Sequence, residues 1–128
     1  QRACCRPEDL VIPKVFDDVE KKEILESKTK FTAFAARYCD YKQGELVRTK
    51  FFDRLSKDYE MADALSGCRR NARPPKEVPE KYNNDRDRPI AWFKPYKFAI
   101  VFENIDKRGY CTEKLANAVL AGTGPIYW

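Results

Sequence analysis

The residues best placed to do chemistry fall in one stretch, Phe102-Glu-Asn-Ile-Asp-Lys-Arg-Gly-Tyr-Cys-Thr-Glu-Lys114. Thr112 can cap a following helix, leaving free backbone N–H groups and the positive end of the helix dipole facing outward. A cation in a first turn is unfavourable for the helix itself. Lys114 there suits a site in which an anion sits between its ammonium and the N-terminus. Arg48 repeats the arrangement near the start of an earlier helix. Two cations and a helix end converging on one crevice would suit a diphosphate, each charge-assisted hydrogen bond contributing roughly 1.5–3 kcal/mol. Taken singly, the same residues have plainer explanations. Arg48 and Lys114 read as solvated charges on amphipathic helices, Glu113 as a favourable first-turn carboxylate, and Glu103 and Asn104 as side chains bonding loop backbone.

The rest of the composition narrows the chemistry. The 128 residues contain no histidine, so the chain supplies no His triad, His general base or His metal ligand. Lysine and arginine number 25 against 20 acidic residues, a net charge of +5 that is too mild to argue for nucleic acid but suits an anionic ligand. Apolar residues at 43% and charged residues at 35% fit one globular domain, and no apolar run is long enough to span a bilayer. The five cysteines, at 4, 5, 39, 68 and 111, form no CxxC, which leaves a zinc ribbon or thioredoxin-type site without support. Asp85-Arg86-Asp87 is a DxD, a carboxylate pair of a kind that can bind a divalent metal. It lies in a proline- and charge-rich connection and is expected to be a solvated loop, so no metal is predicted. The opening at Gln1, with no signal-peptide pattern, is expected of a piece of something longer.

The elements that must position these residues follow from periodicity. A loosely amphipathic stretch carrying Val15, Phe16, Val19, Ile24 and Leu25, punctuated by Pro7 and Pro13, predicts a short helix ending near Ser27. Lys30–Ala36 and Lys97–Glu103 are short, nearly continuous apolar runs of the kind buried on both faces of a parallel sheet. Between them, 45–57 reads as a helix with Val47, Phe51, Phe52 and Leu55 inward and Arg48 among the outward charges, entered from a loop at Gly44. Tyr59–Leu65 is a weaker strand, and 69–95 a long surface connection with a helical turn near 90–93. A helix over about 112–121, buried through Leu115, Ala118 and Val119 and stopped at Gly122, leads to a last strand at Pro125–Trp128. This alternation predicts an α/β fold, a Rossmann-like parallel sheet with flanking helices. Ligands collect beyond the carboxyl ends of such strands, which singles out the loops at 37–48 and 104–114.

Three blocks together resemble the α-1,3/4-fucosyltransferase family: Tyr96-Lys-Phe-Ala-Ile-Val-Phe-Glu-Asn104, Gly109-Tyr-Cys-Thr-Glu-Lys-Leu115 and Ala121-Gly-Thr-Gly-Pro-Ile-Tyr-Trp128. Lys28-Thr-Lys-Phe-Thr-Ala-Phe34, Arg48 with Phe52, Leu55-Ser-Lys57, and Gly67-x-Arg with Asn71 fall in the same order upstream. The resemblance covers about residues 20–128. It implies one half of a GT-B glycosyltransferase, with 1–28 a linker and short helix and 29–128 a GDP-fucose-binding domain truncated at its carboxyl end. It implies an inverting transfer of L-fucose from GDP-fucose to a glycan acceptor containing N-acetylglucosamine or glucose, without metal, nucleic acid or membrane contact by this segment. Arg48 and Lys114 would hold the diphosphate, Glu113 the ribose, and Asn104 and Tyr110 would line the donor pocket. No catalytic residue is expected in this chain, because the family's carboxylate base lies in the amino-terminal domain. Eukaryotic members are tethered in the Golgi membrane and bacterial ones are cytoplasmic.

Members of some lineages carry cysteines at the places of Cys39 and Cys68. Both follow the carboxyl ends of strands expected to be neighbours about 4.8 Å apart, so the resemblance implies a Cys39–Cys68 bridge. Cys111 stands where the family usually has valine or isoleucine and is expected to be packing. The competing expectations are a non-catalytic nucleotide-sugar or glycan-binding module of this fold, a transferase using another GDP-sugar, and a generic basic Rossmann domain.

Overall fold

The computed structural model describes residues 16–39, 43–105 and 107–128. Cys4, Cys5, Pro7, Pro13 and Val15 lie outside the described residues. Chain order is α1 (Asp18–Glu26), β1 (Lys30–Phe34), α2 (Gln43–Asp58), β2 (Asp63–Ala64), a 3-10 turn at Glu80–Tyr82, α3 (Arg88–Phe93), β3 (Tyr96–Ile100), α4 (Glu113–Leu120) and β4 (Gly124–Ile126). The four strands form one sheet in the order β2-β1-β3-β4, and every pairing is parallel. Leaving β1 the chain moves to one side of the sheet, and leaving β3 it moves to the other. The order therefore reverses between β1 and β3, and right-handed crossovers in opposite directions place their helices on opposite faces.

The core shows this division. On one face Phe34, Ala36, Ala64, Ile100 and Phe102 pack with Phe52 of α2, the Phe34 and Phe52 rings stacking at 5.0 Å. On the other, Ala33, Leu65, Ala99 and Val101 pack with Ile90 and Phe93 of α3 and Ala118 and Ala121 at the end of α4. The 69–95 connection is thus more than a surface link. Its last part folds into α3 and buries three side chains, Ile90, Ala91 and Phe93.

Several elements depart from the periodicity reading for local reasons. The second strand shrinks from Tyr59–Leu65 to two residues, because α2 runs on to Asp58 and Tyr59 still bonds back to Leu55. Asn71 completes that edge: its Oδ1 accepts from the Ala64 N–H at 2.7 Å and its Nδ2 donates to the Ala62 carbonyl at 3.0 Å. These bonds satisfy backbone groups that an edge strand would leave open. Gly44 lies inside α2, not before it. α1 buries none of its residues, with Val19 and Leu25 exposed, and is held instead by an Asp17–Glu20 capping box. In α4 the buried positions are Asn117 and Ala118, while Val119 is exposed.

α4 ends where Gly122 takes φ +64°, its N–H bonding to the Val119 carbonyl and Thr123 N–H to that of Ala118. This is a Schellman cap. The remaining carbonyl at Ala121 accepts from the buried Lys28 ammonium at 3.0 Å, which also donates to Lys94 O at 2.6 Å and Thr123 Oγ1 at 3.1 Å. Lys28 therefore ties the ends of α3 and α4 to the entry of β1. Burial, and secondarily the Lys94 ammonium, push its pKa from 10.5 down to about 8. Below about pH 8 it is charged whether the chain is folded or not. Between about 8 and 10.5 the unfolded chain binds the extra proton, so this residue makes stability rise with pH. Denaturant unfolding from pH 7.5 to 10 should show the wild type gaining stability relative to Lys28→Met across that window. A difference that stays constant with pH would sink the linkage.

Candidate functional site

A crevice of about 640 Å³ opens at the reversal point between β1 and β3. It is lined by the chain after β1 (Ala35–Tyr38), the chain after β2 (Ser66, Gly67), the chain after β3 (Val101, Asn104) and the start of α4 (Glu113, Lys114, Asn117). Ligand sites of open parallel sheets occur at this place because two strand-to-helix loops diverge there. Gly67 keeps its walls close. A Cβ at that position would run into the Arg37 carbonyl oxygen, and Cys68 N–H bonds to Ala36 O at 2.8 Å.

Arg48 lies at the floor of the crevice. The amphipathic pattern put it outward, yet it is 3% exposed, and the inward face of α2 is formed by Arg48, Thr49 and Phe52, with Val47 exposed. Its guanidinium spans the reversal point. Nη2 donates to the Tyr38 carbonyl after β1 at 2.8 Å, and Nη1 donates to Oδ1 of Asn104 after β3. Neighbouring Thr49 donates to the Cys39 carbonyl at 2.9 Å. A planar fork can engage both loops in this way, whereas an ammonium could not match the spacing.

The opposite wall is the start of α4. Thr112 is the N-cap, as expected, and Glu103 completes the cap. The buried Glu103 carboxylate accepts from Thr112 N–H and from Thr112 Oγ1, each at 2.7 Å, and Lys114 Nζ lies 3.3 Å from it. The anion that Lys114 meets here is thus a protein carboxylate, and Glu103 bonds loop backbone in the manner its plainer explanation gave. Lys114 also lines the crevice.

Arg48, Asn104, Glu113 and Lys114 are therefore brought together in one crevice. Tyr110 is not among them. It lines a smaller neighbouring pocket of about 250 Å³ with Glu103, Ile105, Lys107, Tyr127 and Trp128. The Lys114–Glu103 pair joins the two pockets, since one partner lines each. Cys39 and Cys68 are disulfide-bonded beside the crevice, with Cα atoms 4.9 Å apart, and Cys111 is a half-buried thiol outside that bridge.

Periodicity gave no sign of the third wall, which comes from the proline-rich connection: Asp85, Arg88, Pro89 and Trp92. Only the break in its surface character, an apolar Ile90-Ala-Trp-Phe93 run after charged residues, marks it in the sequence. The DxD carboxylates are engaged there, Asp85 with Arg88 at 3.2 Å and Asp87 with Asn84 Nδ2 at 3.0 Å. Among the described residues no group of three or more His, Cys, Asp or Glu side chains could hold a metal ion.

A parallel sheet with helices on both faces and a cationic crevice at its reversal point defines a Rossmann-like domain of the type found in GT-B glycosyltransferases. The family model described as the carboxyl-terminal domain of glycosyltransferase family 10 (fucosyltransferase) matches residues 25–128, and the chain belongs to that family. It is 35% identical over 111 residues to a putative fucosyltransferase of Acanthamoeba polyphaga mimivirus, covering 83% of this chain and 17% of that protein. It is 30% identical over 114 residues to GDP-fucose protein O-fucosyltransferase 3 of Xenopus laevis, covering 86% and 23%. The crystal structure of an α1,3-fucosyltransferase with GDP-fucose superposes with a TM-score of 0.63 at 26% identity, covering 86% of this chain and 28% of that one. The chain thus spans about a fifth of the curated relatives it matches and about a quarter of the solved enzyme.

Proposed function

We propose that this chain is the donor-binding part of an inverting fucosyltransferase that moves L-fucose from GDP-fucose to a glycan hydroxyl. The observation carrying this is the buried Arg48 guanidinium spanning the two strand-end loops, opposite the Lys114 ammonium and the start of α4. Family membership and the GDP-fucose-bound relative support it. In this reading Arg48 and Lys114 hold the diphosphate, Glu113 takes the ribose hydroxyls, and Asn104 fixes Arg48. Tyr110 borders the same site from beyond the Lys114–Glu103 pair.

When the glycosidic C–O bond breaks, negative charge grows on the departing GDP, and the fixed cations and helix N-terminus stabilise it. An acceptor hydroxyl attacks from the opposite face and must lose its proton to a base. We assign that base to no residue of this chain: Glu103 is committed to Thr112 and Lys114, and Glu113 to the donor. The acceptor glycan, with N-acetylglucosamine or glucose, and an α-1,3/4 linkage belong to the same proposal.

Calorimetric titration with GDP, GDP-fucose and GDP-mannose tests it. GDP and GDP-fucose should bind, and Lys114→Ala should raise the GDP dissociation constant about tenfold, as loss of one charge-assisted contact predicts. A folded protein that binds none of the three ligands refutes the donor-site reading.

A further inference from the structure

We infer that the Cys39–Cys68 disulfide is a positioning element for Arg48, setting the anion affinity of the crevice through the Tyr38 carbonyl. The inference rests on the donor-site reading above. The Tyr38 carbonyl that receives Arg48 Nη2 at 2.8 Å belongs to a short segment held on both sides by one residue, Cys68. On one side the Ala36 carbonyl accepts from Cys68 N–H at 2.8 Å. On the other, three residues further on, Cys39 is bridged to the Cys68 sulfur. Cys68, in the turn that follows β2, is itself buried in the core beside Phe34, Phe52 and Ala64, 1% exposed, so the segment is anchored to a packed residue. The Cys39 carbonyl then accepts from Thr49, next to Arg48 on α2, at 2.9 Å. The bridge therefore fixes two consecutive carbonyls, Tyr38 and Cys39, which hold two consecutive side chains, Arg48 and Thr49.

Arg48 has its other contact on the far side of the reversal point, at Asn104 Oδ1. A guanidinium stretched between two loops keeps a fixed plane only if both loops are fixed. The Asn104 side is held by the adjacent Glu103, which is bonded into the cap of α4. On the Tyr38 side the bridge has the matching role. Without it the Tyr38 carbonyl is free to rotate outward, and Arg48 loses the orientation in which it faces a diphosphate. A bridge that only restrained the unfolded chain would raise stability without singling out a ligand. A positioning bridge changes anion affinity, and only through Arg48.

The test is a double-mutant cycle on the protein carrying this domain. GDP and guanosine are titrated into wild type, Cys39→Ala/Cys68→Ala, Arg48→Ala and the triple variant, with circular dichroism and the melting temperature recorded alongside. Removing the bridge should raise the GDP dissociation constant about fivefold to tenfold when Arg48 is present and less than twofold when it is absent. Guanosine, which lacks the phosphates, should be unaffected in both. If the double variant does not fold, the folded wild type and Arg48→Ala proteins are treated with dithiothreitol. That reagent supplies the two electrons and two protons that turn the bridge into two thiols, and leaves as its cyclic disulfide. Equal losses with and without Arg48, or no loss, overturn the inference while GDP binding by the wild type upholds the donor reading. Absence of GDP binding by the wild type overturns both.

Discussion

Arg48→Ala is expected to raise the GDP dissociation constant by about a hundredfold or more while leaving the secondary structure intact. The size follows from what the side chain can give a diphosphate: two charge-assisted contacts from a planar fork, each worth roughly 1.5–3 kcal/mol, against about 1.4 kcal/mol per tenfold in affinity. The guanidinium is also nearly excluded from water, which strengthens each contact. Arg48→Lys separates charge from shape. A lysine keeps the cation but cannot reach Tyr38 O and Asn104 Oδ1 together, so it should recover only part of the affinity. Isothermal titration of the three proteins with GDP measures both effects. Affinity within threefold of wild type for a folded Arg48→Ala protein would remove Arg48 from the site, and the donor assignment would lose its main support.

The same residue shows where the sequence was legible and where it was not. Strand and helix order, the Thr112 cap and the Gly122 stop were readable because each depends on local chemistry: apolar runs, an N-cap hydroxyl, a left-handed glycine. Amphipathic periodicity failed at Arg48, because it assumes that charge marks the wet face. α2 is turned so that Arg48 and Thr49 point inward and Val47 outward. A buried cation is tolerated only where acceptors have been arranged for it, and those acceptors come from Tyr38 and Asn104, 10 and 56 residues away. No window of a few turns contains that information. The same limit hid Asp85, Arg88 and Trp92, whose place at the crevice depends on a connection folding back across the sheet. It also left Lys114 either to a ligand or to solvent, since Glu103 becomes its partner only once α4 turns back over the end of β3. The fucosyltransferase resemblance implied one pocket for Arg48, Asn104, Tyr110, Glu113 and Lys114, of which all but Tyr110 line the crevice, but it named neither the Asp85–Trp92 wall nor the Glu103–Lys114 pair.

Glu103→Ala should lower the unfolding free energy by about 3–5 kcal/mol, the range for breaking a buried charge pair by removing one partner. The carboxylate is 6% exposed and serves three donors: Thr112 N–H, Thr112 Oγ1 and the Lys114 ammonium. Deleting it leaves the Thr112 N–H without its acceptor and a partly buried cation without its counter-charge, bonded among the described residues only to Thr112 Oγ1 at 3.0 Å, at the start of α4, where the helix dipole already disfavours positive charge. Glu103→Gln should cost less, because an amide oxygen can still serve one Thr112 donor. Its NH2 group, however, faces a second donor, so the cost does not vanish. The exposed Lys22–Glu26 pair on α1, at 3.8 Å, provides the contrast. Glu26→Ala should change stability by no more than about 0.5 kcal/mol, since solvent screens both charges. Urea unfolding of the wild type and the three variants orders them on one scale. A Glu103→Ala protein within about 1 kcal/mol of wild type would mean that Thr112 and Lys114 find water or other acceptors, and that α4 does not depend on this carboxylate to hold its N-terminus at the crevice.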